Sequence, residues 1–300
     1  MIKSWKSLRE CNNIMNKRIG TVSVLLAACL WGILGIFVRQ LNNVGFDTIQ
    51  VVAIRSIGAV ALLFFYIFFS DRKALKIRWK DFWVFLGTGI GSMVFFNFCY
   101  FGSMQRTSLA IAATLLYTAP VFVAIFARLF LGEKLKRKQY VAIALAIFGC
   151  AMVAGVFSSQ MAVDAGGSLL GLGAGIGYAL YSIFGKVAIK RGYSDVTITF
   201  YTFLVAAVAT LWSLGEKRSD FLTIGWDTWL AIGGLALFST VLAYVLYTRG
   251  LQHVPAGYAS VIACVEPVVA TLVSCILYHE NMTPGTVVGI ACVLCSAVIM

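Results

Sequence analysis

The chain has 300 residues, of which 60% are hydrophobic and only 12% charged, with a formal net charge of +12 and a mean hydropathy of +0.90. A soluble domain carries about 25% charged residues, so this chain cannot hide its apolar surface in a water-soluble core, and its solvent is lipid. The excess positive charge does not read as a nucleic-acid surface, because Lys and Arg sit in short connections between apolar runs and no soluble basic domain is there to carry that role.

A helix crosses the bilayer core with about 20 apolar residues. The first eighteen residues are polar and basic and lack the apolar run of a signal peptide. Met15, followed by Asn16, Lys17 and Arg18, reads as an alternative start. Ten apolar runs follow, at residues 19–39, 47–69, 82–104, 107–131, 138–157, 167–189, 195–214, 228–249, 254–278 and 284–300. The connections at Met104–Thr107 and Gly250–Val254 are short enough to force neighbouring helices antiparallel. The tenth run stops at Met300, which leaves room for a C-terminal tail beyond it.

Basic residues mark the cytoplasmic side. Five precede the first run (Lys3, Lys6, Arg9, Lys17, Arg18) and five lie in the second connection (Arg72, Lys73, Lys76, Arg78, Lys80). The fourth connection adds Lys134, Lys136, Arg137 and Lys138, the sixth Lys186, Lys190 and Arg191, and the eighth Arg249. The alternate connections hold only Arg39, Arg106, Lys217 and Arg218; Arg55 and Arg128 lie within runs. The imbalance predicts both termini in the cytoplasm and a multi-pass protein of the inner membrane.

The second half repeats the first. Gly20/Gly167, Gly45/Gly192, Tyr100/Tyr247, Gln105/Gln252, Pro120/Pro267 and Glu133/Glu280 are each 147 residues apart, and Trp83 answers Trp229 at 146. A repeat of five spans enters the membrane from opposite sides in its two copies. The predicted fold is therefore all-α and polytopic: ten transmembrane helices in two inverted five-helix repeats. Residues 1–18 form a basic cytoplasmic segment, 19–157 the first repeat and 167–300 the second. This is an architecture of secondary transporters, with the substrate site near the midplane between the halves.

Polar groups inside the apolar runs are the candidate machinery. Glu266 is the only acidic residue well inside a span, and a charge there costs roughly 2.5–3.5 kcal/mol on insertion scales. It reads as a proton or cationic-substrate contact, with a structural ion pair or hydrogen bond as the alternative. Pro120 and Pro267 each remove a helix donor and are predicted helix breaks. Arg55 either holds a substrate carboxylate or phosphate or, the favoured role, pairs with Glu266 or snorkels; Arg128 snorkels. Tyr178/Tyr181, Tyr244/Tyr247 and Asn97/Tyr100 stand three residues apart, each pair on one helix face. With Trp31, Tyr117 and Tyr258 they form a predicted cavity lining, and a lipid-facing aromatic belt is the competing assignment for part of the set. Phe64, Phe65, Phe68 and Phe69 read as that belt.

The other motifs carry less. Gly167, Gly171, Gly173, Gly175 and Gly177 do not follow dinucleotide spacing; with Gly87/Gly91 and Gly285/Gly289 they read as small residues for close helix contact. The cysteines, mostly inside apolar runs, read as small buried residues, and Cys292-x-x-Cys295 has no second pair to make a metal site. Asn281-Met282-Thr283 is a sequon abutting the membrane and reads as incidental. Only two histidines exist, His253 and His279, both at span ends and without an H-E-x-x-H pattern. An intramembrane enzyme is therefore not expected, nor is a cofactor.

These residues together resemble a known family. Leu30-Trp31-Gly32, Arg55, Tyr117-Thr118-Ala119-Pro120 with Leu131-Gly132-Glu133, and Val265-Glu266-Pro267 with Glu280 look like the signatures of the drug/metabolite transporter superfamily, EamA type, with two EamA repeats. The resemblance covers nearly all of residues 17–300. The second half departs from it at Tyr178-Ala179, at Thr199-Phe200 and at His279, so polar function is unevenly shared. The resemblance implies a carrier that moves small organic metabolites, amino acids or drug-like solutes by alternating access, and it leans toward export. Protons are the candidate coupling ion. A facilitative uniporter or channel-like pore is the alternative. The oligomeric state is not legible.

Overall fold

A computed structural model of the chain describes residues 2–134, 136–156, 164–217, 224–279 and 281–300. Among them every regular element is helical. Eight helical stretches are long and apolar enough to cross a membrane: α1 (Ile14–Asn43), α2 (Thr48–Ser70), α3 (Trp79–Arg106), α4 (Leu109–Leu131), α6 (Ala165–Lys190), α7 (Asp195–Gly215), α8 (Trp226–His253) and α9 (Ala256–Tyr278). Two shorter helices, α5 (Arg137–Val153) and α10 (Pro284–Ile299), fall where the fifth and tenth spans are predicted. At 1.5 Å per residue their 17 and 16 residues reach about 25 Å, short of a bilayer core of about 30 Å. The helix containing α1 begins at Ile2, well before the predicted start at 19, because the polar N-terminal segment is itself helical.

Polar side chains start these helices by satisfying amides that have no helical partner. Asp47 and Gln50 form a reciprocal capping box, with Gln50 N–H donating to Asp47 at 2.8 Å and Asp47 N–H to Gln50 at 2.9 Å. Ser108, Asp164, Ser194 and Thr283 cap α4, α6, α7 and α10. Thr283 thus spends its hydroxyl on a helix start. The start of α9 lacks such a side chain, since its N-cap is Pro255. Glu133, at the end of α4, supplies the cap instead: its carboxylate accepts from Ala256 N–H at 3.0 Å and Gly257 N–H at 3.5 Å. Its repeat mate Glu280 lies outside the described residues.

The internal repeat recurs in the backbone. Gly45 and Gly192 both have φ of 90°, and Gly132 and His279 both lie in the left-handed region, at 71° and 54°. Only the last is costly, because His279 carries a Cβ. α4 breaks after Leu116 and resumes at Ala119; α9 breaks after Ala263 and resumes at Glu266. Both breaks precede a proline, whose missing N–H leaves one carbonyl of the previous turn free. Stretches of π-helix interrupt α3 at Gly87–Val94 and α8 at Leu237–Leu242. Even one side-chain bond is duplicated: Ser92 donates to Gly177 O at 2.6 Å, and its mate Ser239 to Leu30 O at 2.8 Å.

The halves interdigitate. α1 packs on α8, α3 on α6, α2 on α7 and α5 on α10. This pattern maps onto itself when each helix is exchanged for its mate. Small residues permit the contacts. A Cβ at Gly149 in α5 would sit 2.8 Å from Gly289 O in α10, and one at Gly289 would sit 2.7 Å from Gly149 O. The glycines of α6 serve α3 and α4 in the same way: a Cβ at Gly177 would meet the Phe96 backbone at 2.9 Å. The phenylalanines ending α2 face outward, Phe69 at 80% exposure, and Arg128 is exposed.

A second polar tie joins the start of α3 to the end of α6. Asp81 is buried and accepts from Arg78 Nε at 2.7 Å, from Tyr193 OH at 2.7 Å and from Arg191 Nη1. Tyr193 OH in turn accepts from Arg78 N–H at 3.1 Å. Hydrogen bonds from Tyr193 and Asp81, and the Asp81 charge, raise the pKa of the exposed Arg78 guanidinium.

Candidate functional site

Where the halves meet, aromatic rings from four helices surround Trp31 of α1. Its ring centroid lies 6.1 Å from Tyr178, 5.1 Å from Tyr244 and 5.2 Å from Tyr247. Tyr181 stands edge-on to Tyr244 at 5.1 Å, and Phe203 of α7 meets the same ring at 4.9 Å. Phe96 of α3 extends the group, stacked on Tyr100 at 5.7 Å and edge-on to Tyr178 at 6.4 Å. These are the offset and edge-to-face geometries that aromatic quadrupoles favour. The glycine after Trp31 lets α9 come close: a Cβ at Gly32 would sit 2.6 Å from Val269 and 3.0 Å from Glu266 O.

Some of the tyrosine hydroxyls are committed to the scaffold. Tyr181 OH shares a hydrogen bond of 2.7 Å with Thr248, and Tyr247 OH one of 2.7 Å with Ser182, tying α6 to α8. Tyr244 OH points to Met93 Sδ at 3.8 Å. Asn97 donates to Met93 O at 2.7 Å within its own helix, so its amide braces α3. No hydrogen bond ties the hydroxyls of Tyr100, Tyr117 or Tyr178 down among the described residues.

Arg55 comes to this chamber, and Glu266 lies on the α9 face of Gly32. Arg55 of α2 is 7% exposed and lies over the Tyr244 ring at 5.9 Å. Glu266 opens the second segment of α9. Its backbone carbonyl lies against Gly32, the residue after Trp31. No ion pair within 4.0 Å joins Arg55 and Glu266. Glu266 has no hydrogen-bond partner among the described residues. Trp31 Nε1 and Arg55 Nε are buried and likewise unpartnered. An unsatisfied buried donor costs about 1–3 kcal/mol, and folded proteins keep few of them. Two such donors, from two helices, lie beside the Tyr244 ring.

Pro120 and Pro267 flank it. A void of about 10 Å³ lies between the two helix breaks, lined by Tyr117, Pro120, Tyr178 and Cys264 among others. That is room for about one water molecule, and Tyr178 is the member of the Trp31 group that lines it. Tyr258 stands apart from the Trp31 group. Its ring lies under Lys17 Nζ at 4.7 Å and its hydroxyl is 3.2 Å from Thr21, at the start of α1. Sequence reasoning did not find Met93, Phe96 or Phe203, which carry no polar signal inside an apolar run. Asp81 was findable: Trp83 and Trp229 align it with Asp227, the only other acidic residue at that place in the repeat.

Comparison with known proteins agrees with this architecture. An uncharacterized transporter of Archaeoglobus fulgidus is 30% identical over 287 residues, covering 94% of this chain and 96% of that protein. The uncharacterized transporter YwfM of Bacillus subtilis is 27% identical, covering 92% of each. The threonine/homoserine exporter RhtA of Escherichia coli K12 is 25% identical over 71% of this chain and 68% of that protein. One crystal structure shares the fold with a TM-score of 0.77 at 16% identity, over 93% of this chain and 95% of the other. The sequence profile of the EamA-like transporter family matches residues 18–155 and again 165–300. The chain is an integral, multi-pass membrane protein and belongs to the EamA-like transporter family.

Proposed function

We propose that this chain is a secondary carrier that exports small amphipathic organic solutes, amino acids among them, by alternating access around the Trp31 chamber. The observation that carries the reading is the pair of buried, unpartnered donors, Trp31 Nε1 and Arg55 Nε, among the aromatic rings, with the half-buried Glu266 at the break of the neighbouring α9. A solute with an aliphatic or aromatic body and a polar head satisfies all of them at once. Export is supported by the likeness to the threonine/homoserine exporter RhtA.

In this reading ten helices cross the membrane as two inverted repeats, 19–157 and 167–300, with both termini cytoplasmic. The exchange symmetry of the helix pairs supports this arrangement. α5 and α10 cross as a matched short pair, locked at Gly149 and Gly289. Glu266 takes up a proton or the cationic head of the solute, Arg55 holds the anionic part, and the breaks before Pro120 and Pro267 let α4 and α9 bend as the chamber opens.

The test is uptake and efflux of an amino-acid and metabolite panel in proteoliposomes, with and without a pH gradient. Wild type should accumulate a solute against its gradient when a pH gradient is imposed. Glu266→Gln should lose that accumulation and keep solute exchange. Accumulation by Glu266→Gln equal to wild type removes Glu266 from coupling, and flux that never saturates replaces the carrier with a pore.

A further inference from the structure

A larger cavity lies away from the chamber, at the end of the molecule where α1 and α9 finish and α8 starts. Its volume is about 360 Å³, and its lining includes Phe37, Arg39, Gln40, Asn43, Asp227 and Tyr278. This is the size of a pocket for an amino acid or small drug.

Neither of its two charges, Arg39 and Asp227, has an ionic partner among the described residues. The Arg39 guanidinium stacks on the Tyr278 ring, 4.0 Å from the centroid. Stacking fixes the plane and leaves the N–H edge, the part that grips carboxylate or phosphate in a fork, without a partner among the described residues. Asp227 Oδ2 accepts from Gln40 Nε2 at 2.6 Å, and Oδ1 has no donor. The two charges share one cavity, and no ion pair joins them.

The repeat supplies an internal comparison. Asp227 is the counterpart of Asp81 through the Trp83/Trp229 alignment. Asp81 is buried and saturated by two guanidinium groups and a phenol. At the mates of Arg191 and Tyr193 the first half has Val44 and Phe46, which cannot donate to a carboxylate. The same backbone position thus closes a structural tie in one half and presents an exposed acid beside an open cavity in the other.

We propose that this cavity binds a zwitterion, with the anionic group on Arg39, the ammonium on Asp227 and the remainder against Phe37. A singly charged ligand leaves one of the two wall charges unanswered; a zwitterion answers both. A free α-amino acid and the headgroup of an ethanolamine phospholipid share this chemistry. The binding stands without the carrier reading, which supplies only its place beside a transport path.

The test uses the full chain in nanodiscs of phosphatidylglycerol, in the Glu266→Gln background so that the chamber does not contribute. Calorimetry with L-leucine and L-threonine, their decarboxylated amines and their N-acetyl derivatives forms one arm. Native mass spectrometry with short-chain phosphatidylethanolamine forms the other. Binding of a zwitterion in either arm is expected, weakened at least tenfold by Arg39→Gln and by Asp227→Asn, restored in part by Arg39→Lys, and at least tenfold weaker for amine or N-acetyl acid. The arm that shows binding names the source. No zwitterion binding in either arm, or binding that both substitutions leave unchanged, overturns the proposal. Binding present with wild-type Glu266 and absent in Glu266→Gln belongs to the chamber; it also overturns the proposal while supporting the carrier reading.

Discussion

Replacing Glu133 by alanine removes the only side-chain cap at the start of α9 among the described residues. Pro255 has no side-chain acceptor, so the amides of Ala256 and Gly257 depend on a carboxylate that arrives from the end of α4, at 3.0 and 3.5 Å. The first distance is an ordinary hydrogen bond and the second is at its limit. The loss is therefore nearer one cap than two. Removing a cap costs about 0.5–2 kcal/mol, and a negative charge at a helix start adds about 0.3–1 kcal/mol. Screening at the membrane edge lowers the second figure, so Glu133→Ala should destabilise by about 1–2 kcal/mol. Glu133→Gln keeps an acceptor without the charge and should lose about half of that. The assay is reversible unfolding in mixed micelles, with hydrogen exchange read at residues 256–257. Faster exchange at those amides, in the order alanine, glutamine, wild type, supports the account. Alanine and wild type unfolding alike, with unchanged exchange at 256–257, refutes it.

Three further outcomes follow from the packing. Ser182→Ala and Tyr247→Phe each break a buried bond of 2.7 Å, and in a double-mutant cycle by chemical denaturation the pair should couple by about 0.5–1.5 kcal/mol; additive effects contradict the bond. Gly289→Ala places a Cβ 2.7 Å from the Gly149 carbonyl, so overpacking should cost about 1–3 kcal/mol in the same assay, whereas Gly285→Ala, with no neighbour closer than 3.5 Å, should be near neutral. Asp81→Ala frees Arg78, Arg191 and Tyr193 together, and trypsin should then cut the 71–81 connection faster than in wild type; an unchanged cleavage rate removes the tie from the account.

The sequence was most informative where a physical constraint acts on residue type. Lipid demands long apolar helices, so the eight long stretches were readable within a few residues. Prolines at equivalent positions announced the two helix breaks, because losing an N–H leaves little choice. The glycine at 45 and its mate at 192 were visible as repeats, and the structure adds their shared left-handed conformation. What stayed hidden has no composition signal. The π stretches in α3 and α8 lie in ordinary apolar sequence. α5 starts one residue before its apolar run and ends at Val153, ahead of the predicted 157, whereas α10 departs from its run only at the last residue. Within the candidate site, spacing of three put Tyr178 with Tyr181 and Tyr244 with Tyr247, but only three-dimensional packing separates Tyr181 and Tyr247, bonded to the scaffold, from Tyr178. Tyr258 entered the sequence list on residue type alone and lies elsewhere, under Lys17.

The central claim is that the Trp31 chamber opens alternately to the two sides of the membrane. The most direct measurement is alkylation of a single cysteine at position 117, Tyr117→Cys in a background without the eight native cysteines, by a membrane-impermeant maleimide. The reagent is given from one side at a time in oriented vesicles. The account predicts slow labelling from each side, because the void that Tyr117 lines has room for about one water molecule, and slower labelling still when a transported solute is present. Labelling from one side only, or no protection by the solute, contradicts it.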